Sequence, residues 1–369
     1  MRRKLIVDVS ETAFKKLLKW KAELGFADRD WGEFFDFLTR DIAVEDLVPT
    51  KITRYTFEVL MPLWSRNFAE NLPYIRGGKA INDLEGYGMG KAAVIVGAGP
   101  SIWRFNHLKM LAESNFDGIV MVCDSMLKHA LKAGVTPEKF PDYFCGSVDG
   151  NRDLIWKMYD DPIVDKYGKG IKALFTTMVA PNTRERAEKA GMEIYWYNPR
   201  YDDWRRNESF TRLAGMMTAT EHRQKGIGCI RSAGQVGACL WAIAFSVLNA
   251  SPIALIGVDC GYLDGTPIEE TAYYKTIMQM AGDLKLATRY FRRVYNPYFK
   301  CHCLVDFIFD SYRKIWLELA RHVPREYITI NCSGSGSLYG EPYIYCMKFE
   351  DFLAHYKDEN LLDYKLKPD

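Results

Sequence analysis

Ala92–Val96 is an apolar run rich in β-branched side chains, cut short by Gly97-Ala-Gly99-Pro100-Ser101. Such a run reads as a strand buried on both faces. Pro100, with its preset φ and no N–H, suits the start of a helix. Leu108 and Leu111 carry an apolar stripe onward. The stretch is therefore a strand, a glycine turn and a helix, a geometry in which backbone N–H groups can approach a phosphate at the positive end of the helix. It is not the dinucleotide fingerprint, because no third glycine follows in Ser101-Ile-Trp103. It is not a P-loop, because no Gly-Lys-Ser/Thr follows. Taken alone it is equally an ordinary tight turn.

The pattern recurs. The sequence predicts strands at 119–123, 143–148, 173–176, 192–197, 252–258 and 327–330, separated by helices that open at Asp124-Ser125, Pro181 and Ser232. Repeated βα units imply an α/β fold with a doubly wound, mostly parallel, Rossmann-like sheet. Ligands of such sheets lie beyond the carboxyl ends of the strands. Residues 198–228 interrupt the alternation with aromatic and basic residues, among them Tyr201, Arg205, Arg212 and Arg223, and 270–322 reads as rich in helix.

Four domains are expected. Residues 1–45 form a small β-α-α module whose strand at 4–9 and two helices cannot build a core alone. This module resembles the ribbon-helix-helix pattern. Operator binding through Arg3 is one reading; a dimerisation arm or a lid is preferred, because no basic cluster follows. Residues 46–90 form a helical lead-in and a linker with five glycines between Arg76 and Gly90. Residues 91–347 form the main domain, and 348–369 a C-terminal helix and tail. Burial of the module's apolar face predicts a homodimer.

Charge gives no argument for nucleic acid or a membrane as partner: 49 basic residues face 47 acidic ones. Nine cysteines, an odd number without paired spacing, argue against a disulfide framework, and Cys301-His302-Cys303 lacks zinc-site spacing. With no apolar leader and no run of ~18 apolar residues, we read a cytoplasmic protein.

Small polar loops gather at the expected strand ends: Gly97–Ser101, Asp124-Ser125, Ser147-Val-Asp149-Gly-Asn151 and Gly257-Val-Asp259-Cys-Gly-Tyr262. Ser232-Ala-Gly234-Gln235 adds a helix N-terminus, and Asn331–Gly340 is a run of small and hydroxyl residues. Glycines and hydroxyls suit phosphates and sugar hydroxyls, and carboxylates suit Mg²⁺ or a ribose.

The order of these motifs resembles the MptE-like family. That family includes archaeal 6-hydroxymethylpterin diphosphokinases and the Maf motility accessory factors, which look like glycosyltransferases acting on flagellin. The resemblance rests on Gly97–Ser101, Val122-Cys-Asp124, Leu131-Lys-Ala-Gly134-Val-Thr-Pro137, Pro141-Asp142 through Asp149, Gly234 to Ala238, Ile256-Gly-Val-Asp259, and Asn331 through Gly340 with Phe349–Leu353. It spans roughly residues 90–355. Two departures stand out. The pterin enzymes carry a Thr-Asp-Leu-Asp-Gly-like run, whereas this chain has Gly146-Ser-Val-Asp149-Gly with a single Asp. Maf-like members often place a His after the Gly-x-Asp strand end, where this chain has Gly265-Thr-Pro267-Ile-Glu269-Glu270.

The resemblance implies a nucleotide-dependent transferase. Its donor is a nucleotide-sugar, plausibly CMP-linked, or ATP with Mg²⁺; its acceptor is unknown. Gly97, Gly99, Pro100, Ser101, Asp124, Ser125, Asn151, Ser232, Gly234 and Gln235 are the expected nucleotide contacts. Asp149, Asp259 and Glu269 are the catalytic candidates, with Asp149 the candidate Mg²⁺ ligand. Tyr262, Arg205, Ser333 and Ser335 are the substrate candidates. In the diphosphokinase reading Asp149 and Asp259 share Mg²⁺ while Trp103 or Tyr262 stacks on the pterin. A non-catalytic nucleotide-binding regulator is the third reading. Gly97, Ser101, Asp124, Asp149, Ser232 and Asp259 are expected to converge on one crevice.

Overall fold

The short apolar runs assemble into one parallel sheet. The computed structural model describes residues 10–23, Trp31, 60–202, 209–231 and 234–369. The chain divides into two units, Met1–Thr53 and Arg54–Asp369. In the first, Glu11–Glu23 is a helix that exposes Phe14 and Leu18 on one face. The strand expected at 4–9 and the helix expected from Trp31 onward lie outside the described residues.

In the second unit the strands are β1 (Lys79–Ala80), β2 (Ala93–Val96), β3 (Ile119–Cys123), β4 (Tyr143–Ser147), β5 (Lys172–Thr176), β6 (Glu193–Pro199), β7 (Cys229–Ile230), β8 (Ile253–Ile256), β9 (Tyr262–Leu263), β10 (Phe291–Asn296), β11 (Cys301–Asp306), β12 (Thr329–Asn331) and β13 (Tyr345–Cys346). The main sheet runs β1-β6-β5-β4-β3-β2-β8-β12-β13, with β7 also on β6, and every pairing in it is parallel. The chain steps outward from β2 through β3, β4, β5 and β6, then returns to lay β8 on the other side of β2. The point where the winding reverses is therefore the β2–β8 junction, the position at which doubly wound sheets bind ligands.

Strands β2, β3, β4 and β8 are buried along their whole length, as parallel strands covered on both faces must be. The helix Val236–Ser246 covers this centre, and Leu240 packs where a side chain on Gly146 would otherwise stand. It is itself covered: Trp241 meets Trp316 of the helix Phe307–Ala320 at 5.6 Å between rings. That second cover explains why Gly237–Ala244 is buried all round.

Two expectations are corrected. Part of the segment expected as a lead-in and linker belongs to the core. The helix Met61–Gly77 buries Asn67, Phe68, Asn71 and Ile75, β1 pairs with β6, and Gly88 N–H donates to Leu248 O. The stretch 270–322 is not all helical. β10 and β11 form an antiparallel hairpin extended by β9, with Val294 opposite Cys303 and Arg292 opposite Val305. The expected C-terminal helix is present at Phe349–His355, and it buries Phe349 and Phe352.

Candidate functional site

At the carboxyl edge the turns after β2 and β8 are locked together. Gly97 N–H donates to Ile256 O at 2.8 Å and Gly99 N–H to Gly257 O at 2.7 Å. Asp259 is 2% exposed. Its Oδ2 accepts from Ser101 N–H at 3.2 Å and from Ser101 Oγ at 2.8 Å, and its Oδ1 accepts from Ser335 Oγ at 2.6 Å. A Cβ on Gly99 would lie 2.0 Å from Asp259 Oδ2, and one on Gly97 2.5 Å from Gly257 O. These glycines are small because protein, not phosphate, fills the space beside them. Pro100 has no N–H, and the amides of Gly97, Gly99 and Ser101 donate within the protein.

The hydroxyl-rich run after β12 closes the same lock. Ser333 Oγ accepts from Val258 N–H at 3.0 Å, Ser337 N–H donates to Asp259 O at 2.8 Å, and Asn331 Nδ2 donates to Leu338 O at 2.7 Å. Ser333 and Ser335, expected to meet substrate, are buried with their hydroxyls bound to protein. Burial pushes Asp259 up to about 6 despite these donors. Its carboxylate is turned inward and pins three segments.

The turns after β3 and β4 form the neighbouring part of the edge. Asp124 ends β3 and is buried; its Oδ2 accepts from Ser147 Oγ at 2.6 Å and its Oδ1 from Ser125 N–H at 2.7 Å. Burial raises it to about 6, and the charge of Asp149 adds to the rise. Asp149 is exposed and accepts from Asn151 N–H at 2.9 Å. Asn67, which the sequence reading missed, holds this loop from below: its Nδ2 donates to Gly150 O at 2.8 Å and Met178 O at 3.1 Å. The signal was available as buried amides at i and i+4, since Asn71 likewise donates to Val179 O at 2.8 Å.

The helix Val236–Ser246 starts at the same edge, with Gly237 close to Cys123 at the end of β3 and to Val258 after β8. Gly234 is exposed with φ +80°, Gln235 caps the helix from an extended conformation, and its Nε2 reaches Cys260 Sγ at 3.6 Å. The first amides of a helix have no partner within it and carry its positive end. Tyr312 packs on Gly234, where a Cβ would lie 2.3 Å from the ring. Tyr312 also feels the charges of Asp149 and Asp306. Tyr262 donates to Asp306 Oδ2 at 2.7 Å, and Asp306 caps the helix Phe307–Ala320 through Ile308 and Phe309 N–H.

The expected residues thus fall into two groups. Gly97, Gly99, Pro100, Ser101, Asp259, Ser333 and Ser335 belong to the lock. Asp124, Ser125, Asp149 and Asn151 lie on the turns after β3 and β4, Gly234 and Gln235 at the start of the helix Val236–Ser246, and Tyr262 on β9; Asp149 and Gly234 are exposed, whereas Asp124 is buried. Glu269 lies exposed on the turn Ile268–Glu270, without a side-chain hydrogen bond or ion pair among the described residues. Ser232 and Arg205 lie outside the described residues. His302 is exposed against Tyr295, at 4.9 Å between rings. Open cavities of about 450 Å³ beside Tyr74 and Trp196 and about 470 Å³ beside Arg212 and Cys229 contain none of the expected site residues.

Mg²⁺ takes oxygen ligands, commonly one or two carboxylates plus substrate phosphates. Asp149 offers that donor set one exposed carboxylate, while Asp124 is buried with its two oxygens engaged by Ser147 and Ser125. Asp149 and Asp259 do not meet: their strands β4 and β8 are three spacings apart, roughly 14 Å, and Asp259 faces inward. The sharing of Mg²⁺ by Asp149 and Asp259 is therefore corrected. No cluster of three or more His, Cys, Asp or Glu suited to a metal occurs among the described residues.

No described helix is long and apolar enough to cross a membrane. No curated protein matches the chain. Among solved structures, the MAf glycosyltransferase from Magnetospirillum magneticum AMB-1 superposes with a TM-score of 0.52 at 13% identity, over 82% of this chain and 42% of that one. This chain thus spans less than half of that protein's length, and at such identity the likeness is one of fold. The family model for 6-hydroxymethylpterin diphosphokinase MptE-like proteins matches residues 66–265. That match covers more than half of the 369 residues, and the chain belongs to the MptE-like family.

Proposed function

We propose that the chain is a nucleotide-dependent transferase that moves a sugar from a nucleotide-activated donor to an acceptor hydroxyl. The observation that supports this reading is that Asp149 is an exposed carboxylate following β4 at the carboxyl edge of the sheet, the edge at which the helix Val236–Ser246 begins. The helix start at Gly234–Val236 takes the donor phosphate, because unpaired amides and the helix dipole favour an anion there. Asp124, held by Ser147 and Ser125, accepts hydrogen bonds from the ribose or base. Asp149 is the remaining catalytic carboxylate, since Asp259 is locked and Glu269 stands apart. It takes the proton of the acceptor hydroxyl as that oxygen bonds to the anomeric carbon. The bond from that carbon to the phosphate oxygen breaks, and the phosphate leaves with the electron pair.

A second reading, pyrophosphoryl transfer from ATP to a hydroxymethylpterin, draws on Asp149 as the exposed carboxylate for Mg²⁺. When bound, the ion would neutralise charge on the triphosphate.

A thermal-shift panel of CMP, UDP, GDP, ATP and 6-hydroxymethylpterin, each with and without Mg²⁺, separates these readings. A true ligand at a hundred times its Kd stabilises by about 2.7 kcal/mol. Stabilisation by a pyrimidine or guanine nucleotide supports glycosyl transfer; stabilisation by ATP and pterin that needs Mg²⁺ supports the second reading. No response to any of them refutes both.

A further inference from the structure

The cavity of about 470 Å³ lies at the carboxyl end of β6, beside β7. Its size is that of a small-molecule site. The helix Phe210–Met217 forms one wall: it buries Ala214 on one side and presents Arg212, Gly215 and Met216 to the cavity. The facing wall is the loop that carries Gln224, Lys225 and Ile227. That loop is braced at both ends. Arg223 donates from Nη1 to Gly78 O at 2.8 Å and from Nη2 to Ile75 O at 2.9 Å. Gly226, at φ +74°, passes so close to the helix that a Cβ there would lie 2.0 Å from Gly215 O. Ile227 N–H donates to Thr218 Oγ1 at 3.1 Å, and Asn198 Nδ2 donates to Ile227 O at 3.2 Å. The charge inside these walls is uncompensated. Arg212 and Lys225 line the cavity and no carboxylate does. Neither side chain has a hydrogen bond or an ion pair among the described residues. Asp202, the acid held at the start of this helix, is spent there: it accepts from Ser209 Oγ at 2.6 Å and from Phe210 N–H at 2.7 Å. Met216 and Ile227 supply apolar wall, and a Cβ on Gly215 would meet nothing within 4 Å, so the floor between them is free.

We infer that this cavity binds a small organic anion, with its carboxylate or phosphate between Arg212 and Lys225 and its apolar body against Met216 and Ile227. β6 lies two strands from β4, the strand that Asp149 follows, so the site is separate from the proposed transfer centre and the inference does not rest on the nucleotide reading. Dye binding to the full chain tests it with two probes of one ring system: 8-anilinonaphthalene-1-sulfonate, an anion, and N-phenyl-1-naphthylamine, its uncharged counterpart. Arg212→Gln combined with Lys225→Gln weakens the anionic dye about tenfold and leaves the neutral dye's affinity, whatever its value, within about twofold, because charge-assisted hydrogen bonds are lost and the shape is kept. Gly215→Phe keeps both charges but fills the cavity, and weakens the anionic dye as well. Each charge substitution alone shows the same selective loss at smaller size, should the double variant fail to fold. Octanoate or octyl phosphate displaces the anionic dye from wild type while octanol does not, and the more potent of the two identifies the head group. Four results overturn the inference: no binding of the anionic dye by wild type, binding untouched by these substitutions, equal loss of both dyes in the charge variant, or displacement by octanol as readily as by the two anions.

Discussion

Gly99→Ala separates the lock from a phosphate cradle, because the two make opposite demands. Gly99 does not sit in the left-handed region, so alanine costs nothing in backbone conformation. The cost lies in what the methyl group meets: Asp259 Oδ2 at 2.0 Å and Gly257 O at 2.7 Å. Gly257 O is held by the Gly99 N–H itself, and Oδ2 holds Ser101 through N–H and Oγ. Displacing Oδ2 gives up both Ser101 bonds. Two hydrogen bonds to an ionised acceptor at ~1.5–3 kcal/mol each amount to a loss of about 3–6 kcal/mol. Against a typical total of about 5–15 kcal/mol, that is a large fraction of the fold's stability. Urea unfolding followed by tryptophan fluorescence reads it directly, because Trp196, Trp241 and Trp316 are buried in this unit. Expected is a large fall in the midpoint. A variant with the wild-type midpoint and a lost nucleotide affinity would refute the lock and restore the phosphate cradle.

Gly215→Ala is the counterpart: it lies inside the helix Phe210–Met217 with open space beside it, so urea unfolding should show a gain of about 1 kcal/mol. Asp124 and Asp259 keep their protons to about pH 6 when folded but release them near the ordinary 3.8 when unfolded, so stability falls as pH rises from about 4 to 6, by about 3 kcal/mol for each. Asp124→Asn should flatten that slope by its own share, whereas Glu193, lowered by its hydrogen bond from Lys79, acts in the opposite sense: its contribution is lost as pH falls below the ordinary 4.5. Light scattering should find a dimer for the full chain and a monomer for a chain beginning at Arg54, if the apolar face with Phe14 and Leu18 joins two copies; a monomeric full chain would refute this.

The sheet was legible because its central strands are buried on both faces and therefore nearly all apolar, as in Ala-Val-Ile-Val of β2 and Ile-Val-Met-Val-Cys of β3. The hairpin of β10 and β11 was not, because Phe-Arg-Arg-Val-Tyr-Asn and Cys-His-Cys-Leu-Val-Asp mix polar and apolar residues, and only Asn296, Cys303, Val305 and Asp306 are buried. At the site, Asp124 and Asp149 were legible as polar residues directly after apolar runs. Gly97 and Gly99 each stand where the turn after β8 approaches closely, through Gly257 O and the Asp259 carboxylate. A glycine demanded by close approach looks the same in sequence whether phosphate or carboxylate approaches it. Ser333 and Ser335 raise the same ambiguity, since a hydroxyl that binds substrate and one that binds a backbone are the same residue.

Why the lock occupies the β2–β8 junction follows from the topology. Two turns leave adjacent strands in opposite directions there and open a gap between them. A sheet that binds at this gap leaves the turn amides unpaired. Here Asp259 and the run Asn331–Leu338 fill it, and the amides of Gly97, Gly99 and Ser101 are spent within the protein. In the proposed transfer, the amides that meet the donor phosphate are those at the start of the helix Val236–Ser246, where Gly237 lies close to Cys123 at the end of β3 and to Val258 after β8. Because Asp259 is turned inward, that proposal leaves the chemistry to Asp149, which is exposed after β4.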